Sequence, residues 1–127
     1  MRTLQAILQA TSDALFPADM GRREVFIDSR SSDGDTPLHV MLWREDHRAV
    51  AILIEAGADV NAVGDMGLTP LHVAVRKRMP EAITLLLQAG ANPDLRSEFG
   101  TTAREEGMVV GGAVAKALGK TGSRNPR

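Results

Sequence analysis

Gly34-Asp35-Thr36-Pro37-Leu38-His39-Val40 recurs 33 residues on as Gly67-Leu68-Thr69-Pro70-Leu71-His72-Val73. The same offset relates Leu53-Ile54-Glu55-Ala56-Gly57-Ala58-Asp59-Val60-Asn61 to Leu86-Leu87-Gln88-Ala89-Gly90-Ala91-Asn92-Pro93-Asp94. One step further lands on Gly100 and Thr102. One step back from residues 58–61 lands on Val25-Phe26-Ile27-Asp28, an apolar echo of the same junction. A fixed period of this length marks a chain of stacked units, each too small to bury its apolar face alone.

The residues of the period make physical sense as two short helices. Thr36 and Thr69 stand where a hydroxyl caps a helix, and Pro37 and Pro70 occupy the first helical position, where no N–H is missed. Leu38, Met41 and Leu42, like Leu71, Ala74 and Val75, fall at i, i+3 and i+4 and give a first helix one apolar face. In the second helix Val50, Ile52, Leu53 and Ile54, then Ala82, Ile83, Leu85, Leu86 and Leu87, are apolar almost all round. That pattern predicts second helices sandwiched between neighbours and buried on two sides. Pro80-Glu81 opens one of them with proline at its start and an acid in its first turn. Gly57 and Gly90 supply the left-handed position that ends each. Residues 58–61 and 64–67 then form a turn that projects toward the next unit.

In period and in its two Thr-Pro-Leu-His motifs, each followed by Gly-Ala, the chain resembles the ankyrin-repeat family. The resemblance implies an all-α solenoid of paired antiparallel helices joined by β-turn or hairpin loops. Residues 30–62 and 63–95 are expected to be full repeats, 1–29 and 96–119 degenerate terminal units of one domain, and 120–127 a flexible tail. Four departures stand out. The Gly-His pair usual between the two helices is replaced by Glu45-Asp46 and Arg78-Met79, which should cost about 1 kcal/mol per loop where the backbone needs a positive φ. Met41 replaces the small Ala74, so packing against the first unit must be looser or rearranged. Arg104-Glu105-Glu106 stands where Leu and His belong, as expected of a solvent-facing terminal unit. The closing helix, over residues 113–118, is only weakly apolar.

Composition narrows the function. The chain has 127 residues, a formal net charge of −1, 43% hydrophobic and 3% aromatic residues, and no cysteine. Near-neutral charge removes the electrostatic surplus that dominates nucleic-acid affinity. Without cysteine there is no thiolate nucleophile and no cysteine-ligated zinc. No apolar leader follows Met1-Arg2 and no run approaches a membrane span, so a cytoplasmic protein with no membrane partner is expected. Gly111-Gly112 lacks the Lys-Ser/Thr of a phosphate loop and predicts a turn between helices. His47 is expected on the surface. Nothing else has the spacing of a catalytic or metal site, so the chain is expected to be no enzyme, with no metal and no cofactor. By the family resemblance His39 and His72 are structural, hydrogen-bonding the turn and its neighbour.

What remains is surface. In the family, hairpin tips and the exposed faces of the first helices line a concave groove where partner proteins bind. By register the tips contribute Val63, Asp65, Met66 and Leu68, then Glu98 and Phe99. The helix ends contribute Trp43 and Arg44, then Arg76 and Lys77, then Val109 and Val110. Trp43, Met66, Leu68, Phe99 and Val63 put apolar groups in slots that are normally polar, and clustered apolar groups with a tryptophan mark interfaces. Arg44, Arg76 and Lys77 are expected to form a basic patch beside acidic tips and to steer a partner. The expected function is a non-catalytic module that binds another protein, an inhibitor or toxin-neutralising protein being a natural subtype. The competing expectation is an assembly protein that forms a homodimer through the same strip.

Overall fold

Thr36, Thr69 and Thr102, spaced at the 33-residue period, each cap a helix in the same way. Each hydroxyl accepts the backbone N–H three residues on, from His39, His72 and Glu105, and the side chain of that third residue accepts the threonine N–H in return. The computed structural model describes residues 2–122. Its helices are α1 (Leu4–Gln9), α2 (Ser12–Leu15), α3 (Pro37–Trp43), α4 (His47–Glu55), α5 (Pro70–Arg76), α6 (Pro80–Gln88), α7 (Ala103–Val110) and α8 (Gly112–Gly122). The inner helices α3, α5 and α7 stack in one layer and the outer helices α4, α6 and α8 in another; within each unit the inner helix packs on the outer. Gly57 and Gly90, both at φ +100°, end α4 and α6 as expected. The chain is an all-α solenoid, with a single antiparallel bridge between Arg96 and Thr102 among its described residues.

Burial is distributed differently from the expectation. The first helices are buried almost all round: from Pro37 to Leu42 in α3 and from Pro70 to Val75 in α5, every side chain is enclosed. In the second helices only Ala49, Val50 and Leu53, and Ala82, Ile83 and Leu86, are fully buried. Ile52, Ile54, Leu85 and Leu87 are only partly covered. Geometry explains the exchange. A seven-residue inner helix is about 10 Å long and meets neighbours on both sides plus its own outer helix, whereas an outer helix keeps one face toward solvent.

The two histidines join the units. His39 Nδ1 accepts from the Thr36 N–H at 3.1 Å and pairs with its hydroxyl at 3.0 Å, which leaves Nε2–H to donate to the Leu68 carbonyl at 2.9 Å. His72 repeats this with Thr69 and donates to the Thr101 carbonyl at 3.0 Å. Those carbonyls also close the hairpins of the following units, accepting from the Gly64 and Ser97 N–H groups at 2.9 and 3.0 Å. Each histidine therefore grips the hairpin of the next unit. Residue 64 has to be glycine: a Cβ there would lie 2.8 Å from His39 Nε2 and collide with Asp35 Oδ1.

The ends depart from the pattern. In the N-terminal unit α1 packs against α4 and α2 against α3, and Met41 is itself buried. Ala6 occupies the histidine position there, so no side chain reaches forward. At the other end α8 continues to Gly122, past the expected start of the tail at residue 120. Gly119 is not at positive φ and so does not end the helix. Residues 123–127 of the expected tail lie outside the described residues. Gly111 makes the turn between α7 and α8. Among the described residues no helix is long and apolar enough to cross a membrane.

Two predictions follow from the loops and the histidines. Glu45 and Arg78 are left-handed, at φ +58° and +56°, so Arg78→Gly should raise the unfolding free energy by about 0.5–1 kcal/mol in urea titrations, and Glu45→Gly, which also removes the partner of Lys77, should gain less. Burial pulls the His39 imidazole below the ordinary histidine value, outweighing its bond to Leu68 and the nearby Asp35, which act the other way. The folded state then binds fewer protons than the unfolded chain. Stability should be flat above pH of about 6.5 and fall as the pH drops below it. His39→Gln should be less stable at neutral pH and show a shallower fall between pH of roughly 6.5 and 5.

Candidate functional site

The residues expected to bind a partner lie at two registers of the repeat, the hairpin tips and the C-terminal ends of the inner helices. At the tips Met66 and Phe99 are one period apart, 40% and 58% exposed, and Val63 is 52% exposed. Met66 adopts a left-handed conformation, φ +60° and ψ +21°, which costs a non-glycine residue about 1 kcal/mol. Its carbonyl accepts the Glu98 N–H at 3.0 Å, tying the second tip to the third. The first and second tips are tied as well, by Arg30 on the Val63 carbonyl at 2.7 Å and by the Asp65 N–H on Asp35 Oδ1 at 3.0 Å. The tips thus form one bonded row. At the helix ends Trp43 is 39% exposed, and Val109, two periods on, is 88% exposed.

Leu68 does not belong to this surface. It is 2% exposed. The extended backbone after the Met66 turn (φ −82°, ψ 129° at Leu68) leaves its side chain in the core while its carbonyl takes the His39 bond. The hairpin reverses direction between residues 66 and 68, so two apolar residues of one tip have opposite fates.

The expected basic patch is also corrected. Arg44 bonds the Ala10 carbonyl at 3.0 Å and Asp13 at 3.3 Å in the N-terminal unit. Lys77 pairs with Glu45 of the preceding unit at 3.0 Å. Arg76 makes a two-pronged pair with Glu106 of the following unit, both contacts at 2.9 Å, and its guanidinium lies 5.0 Å from the centre of the Phe99 ring. These cations are struts between units. Burial alone would raise the Glu106 carboxyl, but the Arg76 guanidinium and the Thr101 hydroxyl outweigh it and hold it below the ordinary range.

Glu106 itself was expected to face solvent, yet its side chain is only 16% exposed. The register carries the signal that reveals it: two steps of 33 back stand the buried Val73 and Val40. A carboxylate in an inward slot needs a cation, and Arg76 provides it. Glu105, at the histidine position, caps Thr102 at 3.0 Å as the histidines do, and its side chain is half exposed. Val109, expected at a helix end, is exposed, and beside it Met108, 65% exposed, is an apolar residue that the sequence reading did not single out.

The model of the family "Ankyrin repeats" matches residues 5–97, in three copies. The chain belongs to the ankyrin-repeat family. Ankyrin repeats generally mediate protein–protein interaction and are typically non-catalytic. No curated protein matches the chain. In this ankyrin chain the inner helices α3 and α5 are enclosed from their first residue to their last turn, so the exposed apolar groups lie at Trp43, at the tips (Val63, Met66 and Phe99) and on the last turn of the terminal helix α7, at Met108 and Val109.

Struts and free surface respond differently to truncation. Arg76→Ala leaves Glu106 half-buried without its cation and should lower the unfolding free energy by about 1–2 kcal/mol. Glu98→Ala, on an exposed side chain, should change it by less than about 0.5 kcal/mol. Equal losses in denaturant titrations would refute the division.

Proposed function

We infer that the protein is a non-catalytic module that binds another protein across its hairpin tips and inner-helix ends. The observation that carries this reading is the placement of Trp43, Val63, Met66 and Phe99 outside the core in a chain with 3% aromatic residues. Large apolar groups held on a bonded row of tips present a pre-ordered surface, and pre-order reduces the entropy lost on binding. A module of this kind acts by occupying its partner, so inhibition or neutralisation of that partner is the role we propose, in the cytoplasm.

Trp43 makes the reading testable. It is the only tryptophan, and there is no tyrosine, so intrinsic fluorescence reports one position. Its emission should be that of a half-exposed indole, insensitive to dilution, and should move to the blue when the partner captured from the native host is added. Trp43→Ala should weaken that complex by about 2 kcal/mol or more with little change in Tm. A comparable loss of fold stability would assign Trp43 to the core instead. Emission that reddens on dilution would establish the homodimer in its place.

A further inference from the structure

Charge around the apolar strip is one-sided once the internal bonds are followed. Asp65 and Glu98 directly precede Met66 and Phe99, and Asp33 holds the Met66 position in the first hairpin; all three acids are exposed. Among the described residues none of their carboxylate oxygens enters a hydrogen bond or an ion pair, in contrast to the cations nearby. Arg44, Arg76 and Lys77 are held by Asp13, Glu106 and Glu45. Arg96 is held by Glu105 and the Gly100 carbonyl, and Arg30 by the Val63 carbonyl. A visitor to the tips meets apolar groups and, among the described residues, three unpaired acids against one cation without an anionic partner, Arg30, so the net charge there is negative.

We propose that the tips dock a basic, apolar segment of a partner protein, with one Lys or Arg set against each of Asp33, Asp65 and Glu98. The sign follows from charge complementarity: an acidic segment would meet like charge, which costs affinity and suppresses wrong partners. The form of the segment follows from spacing. Units stack at a helix-to-helix distance of about 8–10 Å, and the tips repeat with them. A polyproline-II segment returns to the same face every third residue, about 9 Å further on. A β-strand returns every second residue, about 7 Å on, and falls out of step. Cations at every third position, with aliphatic residues between them, give one ion pair per unit and set apolar side chains beside Val63, Met66 and Phe99.

This proposal rests on the reading of the strip as a protein-binding surface, and its test separates the two. The probes are fluorescein-labelled peptides: four repeats of Lys-Pro-Val, four repeats of Glu-Pro-Val, and a peptide of the first composition with its lysines clustered at one end. Fluorescence anisotropy with the full chain should detect the first, weakened about tenfold by raising salt from about 50 to about 500 mM. The triple variant Asp33→Asn, Asp65→Asn, Glu98→Gln should weaken it by a similar factor. The clustered peptide should bind at least about threefold more weakly, and the glutamate peptide not measurably. Equal binding of the lysine and glutamate peptides, or no binding of either at about 1 mM, would overturn the proposal, as would full retention of the lysine peptide by the triple variant. The strip reading is judged separately with Met66→Ser, Phe99→Ser. If that variant loses the natively captured partner while the acid variant keeps it, the strip stands and the basic segment does not.

Discussion

The bond from His39 Nε2 to the Leu68 carbonyl is the constraint on which the rest of the molecule hangs. It runs from a residue whose other ring nitrogen is held by its own helix cap to the carbonyl that closes the next hairpin. The Thr36 cap fixes the imidazole, the imidazole fixes the hairpin over residues 64–68, and the hairpin presents Met66 to solvent. His72 carries the same sequence of constraints to Thr101 and thus to Phe99. Neutral imidazole suits this task, since one nitrogen accepts and the other donates. At His39 burial favours the neutral ring and so works with the joint.

The terminal units show what happens without the joint. Ala6 stands at the histidine position of the first unit, and nothing reaches forward to the Asp35 carbonyl as His39 reaches to Leu68. The first unit is instead attached by its share of the core, Ile7, Leu8, Leu15 and Val25, and at the surface by Arg44 on Ala10 and Asp13 and by Arg2 on Asp46. In the last unit Glu105 keeps the capping half of the histidine's work and gives up the forward half. Between these ends the units are further tied by the Arg76–Glu106 and Lys77–Glu45 pairs, which take up the cations beside the tips and leave the tip acids exposed. Structure and surface are linked in this way: the residues that hold the stack determine which charges a partner meets.

The fold was legible in the sequence because its determinants are local and periodic. Threonine caps, N1 prolines and the Gly57 and Gly90 terminators each act within a few residues of themselves, and repetition at 33 residues multiplied the signal. Side-chain direction at the tips was less legible. Met66 and Leu68 are both apolar and two residues apart, and only the left-handed turn at Met66 separates an exposed side chain from a buried one. The exchange of burial between inner and outer helices escaped for a related reason: apolar periodicity reports how many faces a helix could bury, and neighbours decide how many it does. Glu106 was hidden by reading Arg104-Glu105-Glu106 as a block, when each residue has its own slot: Arg104 on Asp94, Glu105 on the cap and Glu106 on Arg76.

The central claim is that buried histidines hold the hairpins that carry the candidate binding surface. Three chemically equivalent amides close the three hairpins: Ser31 onto Asp35, Gly64 onto Leu68 and Ser97 onto Thr101. Only the last two close onto a carbonyl that a histidine also grips. Residue-resolved amide hydrogen exchange on the unmodified protein compares them within one molecule. The account predicts that Gly64 and Ser97 exchange at least about tenfold more slowly than Ser31, as amides of a more stably closed segment do. Equal exchange at all three amides would mean that the histidines do not hold the tips, and the account would fail.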